Sequence, residues 1–507
     1  MRSQRSIFVT ALVGLALYGL SRHALLVGGV DATASWGLGL LALAVLVAAL
    51  VGKHAWTEGR EAAPLAATSA SRLQVFRAIL ACALVAAAVL IPIGVALLHG
   101  PREWDGRVAW ELRATQLAVS GFFQPFFLDI GVYAPAREYP LLQPLLVGDV
   151  ARVWGIVAAR FTAPLFFLLL VLGLFVTVRR VVTLRVAALA ALAYFVLPGW
   201  IGPGAGSLDS GYGDLLVALL LLAAGVACLR KATESGRPTL EDLLFWSVLV
   251  TLPMVKPEGL VYAYLVLAVA LRSTRRWVFV VGAGLCAASC LLVLGVRSWS
   301  LPLRSSAYVA ACLLPACLVA VRYALDGVAR KEQRFGRPLR WTGIAVLVCL
   351  ACGALWWSVV GVSMEVLGEA SLARLGSHIA HVPMTALGAA SVALDLRKFG
   401  LAWVCLGLGV VLWRLAPQRY REITGLRELG LFVAGGLLLA FASLFLVPET
   451  ELHHELVSRF DRLLLQWSAP AWLLAVLTSF GADCRADGCA ARPADGLSRG
   501  ASVGRRS

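Results

Sequence analysis

The chain is short of charge. Only 15% of its 507 residues are Asp, Glu, Lys or Arg, against about 25% in soluble domains. A water-soluble domain of this size would need more polar surface than that. Alternation is missing too. The apolar residues come in continuous runs, which excludes the short alternating strands of a membrane β-barrel. Acids are scarcer than bases, 29 against 45, giving a formal charge of +16. That excess is not gathered on one face. The arginines fall between apolar runs, as in loops retained in the cytoplasm, so no nucleic acid is expected as a partner.

The 11 cysteines lack the spacing of a disulfide framework or a metal site. Most stand inside apolar runs (Cys82, Cys228, Cys286, Cys290, Cys312, Cys317, Cys349, Cys352, Cys405), where the residue acts as a small hydrophobe. Cys349 and Cys352 form a Cys-x-x-Cys in mid-span with no second pair, and Cys484 and Cys489 fall in the polar tail. No Walker loop, His-Glu-x-x-His or Ser-His-Asp arrangement is present. His453 and His454 lie between Glu451 and Glu455, but adjacent histidines rarely chelate one ion, so no metal and no cofactor are expected. A divalent-metal requirement stays open.

What the chain does have is apolar length. It is 60% hydrophobic, with a mean hydropathy of +0.82. Runs of roughly 17–22 apolar residues recur, each able to cross a hydrocarbon core of about 30 Å. The fold class is an all-α polytopic membrane protein with about 14 transmembrane helices. Spans are expected at residues 7–26, 35–51, 78–98, 161–178, 187–200, up to 228, 277–296, 305–322, 341–362, 400–413, 429–446 and 463–480. The apolar stretch 243–271 is broken by Met-Val-Lys-Pro-Glu-Gly and splits into two short helices. The first run follows Met-Arg-Ser-Gln-Arg, as in a signal peptide, but a second span follows at once, so it reads as an anchor.

Basic loops place both termini in the cytoplasm of a multi-pass protein of the bacterial cytoplasmic (inner) membrane. Three parts follow. Residues 1–77 hold two N-terminal spans and a basic cytoplasmic linker, 78–480 the main transmembrane domain, and 481–507 a polar, disordered cytoplasmic tail.

The outward loops collect the unusual polar residues, and the first, residues 100–160, is the longest. There Glu103, Arg107 and Glu111 stand four apart, a helical polar stripe, with Trp110, Ala114 and Leu117 on the opposite face. With Trp104 this reads as a juxtamembrane helix lying at the bilayer surface. Asp105 is either its N-cap or a general base poised at the membrane boundary. Glu138 and Tyr139 open a second juxtamembrane helix, along which Asp149 and Arg152, three apart, are expected to pair.

Later loops add further candidates. Asp209, Tyr212 and Asp214 lie in a glycine-rich loop that serves either as turns and caps or as a cradle for a sugar or phosphate-linked group. Lys256 and Glu258 flank a proline in the break, where an ionisable group near membrane depth is costly and tends to be functional. Ahead of the last helix stand Ser458, Arg459, Asp461 and Arg462. The arginines serve either as interface anchors or as phosphate ligands, to which the guanidinium fork is suited.

Four places in this pattern resemble a known family. They are Trp104-Asp105-Gly106 in the first long outer loop, and the Tyr-Pro-Leu-Leu-Gln-Pro-Leu-Leu run at 139–146. Then come the helix-opening Gly211-Tyr212-Gly213-Asp214 with Lys256-Pro257-Glu258-Gly259, and the segment 454–463 before the last helix. The chain resembles the integral-membrane glycosyltransferases of the GT-C fold, in the branch of bacterial relatives of protein mannosyltransferases and the lipid A aminoarabinose transferase. The match runs from about 78 to 480, so the first two spans look like an addition.

The resemblance implies a donor sugar linked to polyprenyl phosphate and a lipid, glycan or protein acceptor. Asp105 would be the catalytic base, with inversion at the anomeric carbon. Arg459, Arg462 and Lys256 would face the donor phosphate, and Trp104, Glu138, Tyr139, Asp209, Tyr212, Asp214 and Glu258 would line the substrate site. Two departures stand out: Gly106 replaces a second acid, and Glu138 stands where relatives carry a basic residue or histidine in the proline-rich run. The competing classes are a lipid or sugar transporter or flippase, which should show paired half-chains with matching broken helices, and an enzyme like the O-antigen ligases or polymerases.

Overall fold

Long apolar runs closed by Thr, Gly or Pro become helices. The computed structural model describes residues 2–28, 94, 110–120, 140–201, 213–229, 239–297, 313–324, 382–420, 423–444 and 460–480. Among these there is no strand. The helices are α1 (Arg2–Val27), α2 (Leu112–Ser120), α3 (Leu142–Ala159), α4 (Thr162–Val178), α5 (Leu184–Phe195), α6 (Pro198–Ile201), α7 (Asp214–Cys228), α8 (Leu240–Val255), α9 (Pro257–Ser273) and α10 (Arg276–Arg297). They continue with α11 (Leu313–Ala324), then α12 (Val382–Ala393), α13 (Leu396–Phe399), α14 (Ala402–Leu415), α15 (Leu426–Ser443) and α16 (Asp461–Phe480).

Five helices are long and apolar enough to cross a membrane, and shorter apolar helices accompany them. The protein is therefore all-α over its described residues, with several helices of membrane-spanning character. The expected spans at 35–51, 78–98 and 341–362 lie outside the described residues, as do part of 305–322 and the boundary at residue 77. One of the five, α3, is bent. Gly155 takes φ 84°, a left-handed conformation open to glycine, and splits the helix there. The arm ahead of the bend, residues 142–154, is about 20 Å long and too short to span on its own.

Local chemistry sets the boundaries. At the start of α8, Thr239 accepts from the Asp242 backbone N–H at 3.2 Å, and Asp242 accepts from the Thr239 N–H at 2.9 Å. This capping box satisfies two donors that helical bonding leaves orphaned. α8 stops at Lys256, whose backbone is extended (φ −148°, ψ 157°), and Pro257 occupies the first turn of α9, where it has no N–H to lose. The reversal is tight. A Cβ on Gly259 would stand 1.9 Å from the Leu252 carbonyl oxygen, so no side chain fits there.

Two helices form the centre. Every residue of α7 is buried, and nearly all of α16. Trp467 of α16 lies between Phe432 and Tyr262, at centroid distances of 4.8 and 5.3 Å. Gly436 leaves the room it needs, since a Cβ there would approach the indole to 2.1 Å.

α1 belongs to this core. Phe8, Val9, Leu12, Leu15, Ala16 and Tyr18 share one apolar cluster with α4, α7, α8 and α10. Asp149 accepts from Tyr18 Oη at 2.5 Å and from Arg22 at 2.9 Å. The hydrogen bonds of Asp149 thus go to α1, and the expected pairing with Arg152 is reduced to an attraction between charges. Asp149 is buried against α1, whereas Arg152, one turn on and exposed, reaches it only through its charge. Trp110, just ahead of α2, and Ala114 and Leu117 within it are buried, and Glu111 pairs with Arg160 at the end of α3 (3.0 Å). Glu103 and Arg107 lie outside the described residues.

Candidate functional site

Four helices begin around one carboxylate. α7 starts at Asp214 directly after Gly213, α9 follows Lys256, α16 starts at Asp461, and α3 starts at Leu142. A Cβ on Gly213 would stand 2.8 Å from Gln143 Oε1, 3.4 Å from the Trp110 ring and 3.5 Å from Lys256 Cε. The first long loop, the glycine-rich turn and the break at Lys256 therefore meet at one end of the bundle, and the head of α16 joins them through Arg462.

Asp214 is fully buried, and its side chain caps nothing in its own helix. Its carboxylate is used across helices instead. Lys256 Nζ donates to Oδ1 at 2.6 Å, and Arg462 Nε donates to Oδ2 at 2.9 Å. Gln466 Nε2 also donates to Oδ1. The Oε1 of Gln466 accepts from Tyr262 Oη at 3.3 Å.

Lys256 is 1% exposed. Burial holds its ammonium below the ordinary lysine range, against the pull of Asp214 in the other direction. Glu258, half-buried in the first turn of α9, adds a second favourable charge. Beside this group Lys398 bonds Asp461.

The side-chain charges of Lys256, Arg462 and Lys398 balance those of Asp214, Asp461 and Glu258. The helix field adds to these side-chain charges. Each helix N-terminus carries roughly half a positive charge, and backbone N–H groups there bind phosphates and carboxylates. Four such ends meet around this buried ion network.

Of the residues expected to act, Asp214, Lys256, Glu258 and Arg462 are brought together here. Asp105, Trp104, Glu138, Tyr139, Asp209, Tyr212 and Arg459 lie outside the described residues. Two members were missed in the sequence, Gln466 and Tyr262. Gln466 stands four residues after Arg462, on the same helix face, inside an apolar run. That spacing was the signal available. Tyr262 sits in an apolar helix and carries none. Among the described residues no three His, Cys, Asp or Glu side chains gather as metal ligands.

No family model matches the chain, and no curated protein matches it. Among solved structures it is similar to the archaeal oligosaccharyltransferase AglB from Archaeoglobus fulgidus, in complex with an inhibitory peptide and a dolichol-phosphate. The identity is 13% and the TM-score 0.45, covering 79% of this chain and 50% of that one. The chain spans half the length of that protein.

Proposed function

We propose that this chain is an inverting glycosyltransferase of the GT-C kind, taking a sugar from a polyprenyl-phosphate donor to an envelope acceptor at the outer face of the cytoplasmic membrane. Asp105 is the base in this reading. It takes the proton of the acceptor hydroxyl while that oxygen attacks the anomeric carbon. The bond from that carbon to the phosphate oxygen breaks, and polyprenyl phosphate leaves with the electron pair. Arg459, Arg462 and Lys256 face the phosphate, and the remaining candidates shape the sugar and acceptor sites.

One observation supports the reading most. Four helix N-termini, in α3, α7, α9 and α16, gather around the Asp214, Lys256 and Arg462 network at one end of an apolar bundle. Ionised groups buried in such a bundle are expensive and usually serve a substrate path. Helix N-termini gathered at the end of such a bundle suit a lipid-borne phosphate.

The test is Asp105→Asn. It should leave a membrane-inserted, monodisperse protein whose envelope acceptor no longer carries the sugar, read by mass spectrometry of envelope glycans. A variant that still modifies the acceptor fully would remove the base assignment.

A further inference from the structure

The Asp214 network has an inside and an outside. Asp214 and Lys256 are sealed, with side chains 0% and 1% exposed, while the Arg462 side chain keeps 16% of its surface. Gln466 and Tyr262 are likewise buried, at 1% and 3%. Among these five, Arg462 is the member that reaches the surface of the site. The two carboxylate oxygens also have different work. Oδ1 takes both Lys256 and Gln466, and Oδ2 takes Arg462 Nε.

A carboxylate oxygen accepting two donors is largely committed, so the guanidinium is met at the other oxygen. The orientation of Gln466 is fixed in turn. Its Oε1 accepts from the Tyr262 hydroxyl, which turns its NH₂ group toward Asp214. An ion pair alone would leave the carboxylate free to rotate. The amide and the hydroxyl behind it lock that rotation.

We infer that Arg462 is the phosphate-facing cation of this corner, and that Lys256, Asp214, Gln466 and Tyr262 are positioning residues that aim its guanidinium from behind. This rests on the proposed transferase reading and sharpens it. Lys256 moves from phosphate ligand to buried counter-charge, and two residues join the site. The ligand is a phosphate group on a polyprenyl chain, and inorganic phosphate offers the same chemistry without the chain. Arginine suits position 462 because Nε holds Asp214 at 2.9 Å and the guanidinium carries two further nitrogens with which to meet a phosphate. A lysine has one nitrogen and cannot do both.

The experiment uses the full chain in lipid nanodiscs, with polyprenyl monophosphate, the uncharged polyprenol and inorganic phosphate as separate probes, read by native mass spectrometry. Wild type should prefer polyprenyl monophosphate over polyprenol. Arg462→Gln and Arg462→Lys should both reduce that preference by about tenfold or more, the scale of a lost charge-assisted hydrogen bond. Gln466→Met and Tyr262→Phe should reduce it severalfold while polyprenol binding stays unchanged. A purely structural role would lower both lipids together. Tyr262→Phe removes one hydroxyl, so it keeps the test readable if Gln466→Met folds poorly.

The outcomes separate two failures. If wild type shows no preference for the phosphate, the transferase reading falls and this inference with it. If wild type prefers the phosphate and Arg462→Gln loses that preference, but Gln466→Met and Tyr262→Phe keep it, the positioning network is overturned and the transferase reading stands. Equal competition by inorganic phosphate would assign the corner to free anions, against the lipid-borne ligand.

Discussion

At the scale of single residues, Asp214 is where stability and function meet. Removing one partner of a buried ion pair strands the other in a low-dielectric interior, at about 3–5 kcal/mol, whereas replacing both with apolar groups is often near neutral. The partners of Asp214 are unequal. Arg462 keeps some solvent, but Lys256 is sealed and its ammonium is already disfavoured by burial. Asp214→Leu is therefore expected to lower the thermal midpoint in detergent strongly, because it takes from the sealed Lys256 the carboxylate it donates to. Adding Lys256→Met should recover most of the loss, although phosphate preference stays impaired. Lys256→Met alone should cost less than Asp214→Leu, since Arg462 and Gln466 still serve the carboxylate. A double variant no more stable than Asp214→Leu would mean that charge pairing is not what holds this corner.

Among the described residues, the helical elements were legible in the sequence where an apolar run was continuous. Spans expected at 277–296 and 463–480 appear as Arg276–Arg297 and Asp461–Phe480, and the run at 161–178 as the shorter apolar helix Thr162–Val178. The break at Lys256 was legible as well, since a proline beside two ionisable residues can neither continue a helix nor sit in lipid. Partnership between elements was not legible. Asp149 and Tyr18 are 131 positions apart, and only packing brings them together. Local spacing pointed to Arg152, and burial decided otherwise.

The α8–α9 reversal can be tested against its own far end. Gly259→Ala would drive a Cβ into the Leu252 carbonyl, which is main chain and cannot swing aside. The two helices must part, carrying Lys256 away from Asp214. A loss of several kcal/mol is expected, on the order of other backbone clashes in packed interiors. Thr239→Ala, at the other end of α8, removes only the capping box and should cost about 1 kcal/mol. Thermal unfolding should rank the two in that order. Lipid-phosphate binding should survive Thr239→Ala and be lost in Gly259→Ala.

At the scale of the whole molecule, the first helix decides whether the chain is one packed unit. By sequence it looks like an addition to a domain starting near residue 78, yet α1 runs through the same core as α4, α7, α8 and α10. Two terms bind it there, and they differ in size. Its apolar contacts, such as Phe8 against Gly173 and the close approach of Gly19 to Leu142 and Met254, are van der Waals packing. Lipid chains would partly replace them once the helix left. The bonds from Tyr18 and Arg22 to Asp149 have no such substitute, because acyl chains donate no hydrogen bond. Deleting residues 2–28 should therefore fail mainly at Asp149, with a protein that expresses poorly and elutes as aggregate on size-exclusion chromatography. Adding Asp149→Leu to the deletion removes the stranded carboxylate and should restore part of the monodisperse peak. In the full chain Asp149→Leu should itself be damaging, by about 3–5 kcal/mol, since it removes the carboxylate that the buried Arg22 pairs with, and Arg22→Met should relieve it. A deletion variant that stays monodisperse with Asp149 intact would show that α1 is an appendage and that the Tyr18, Arg22 and Asp149 latch carries no weight.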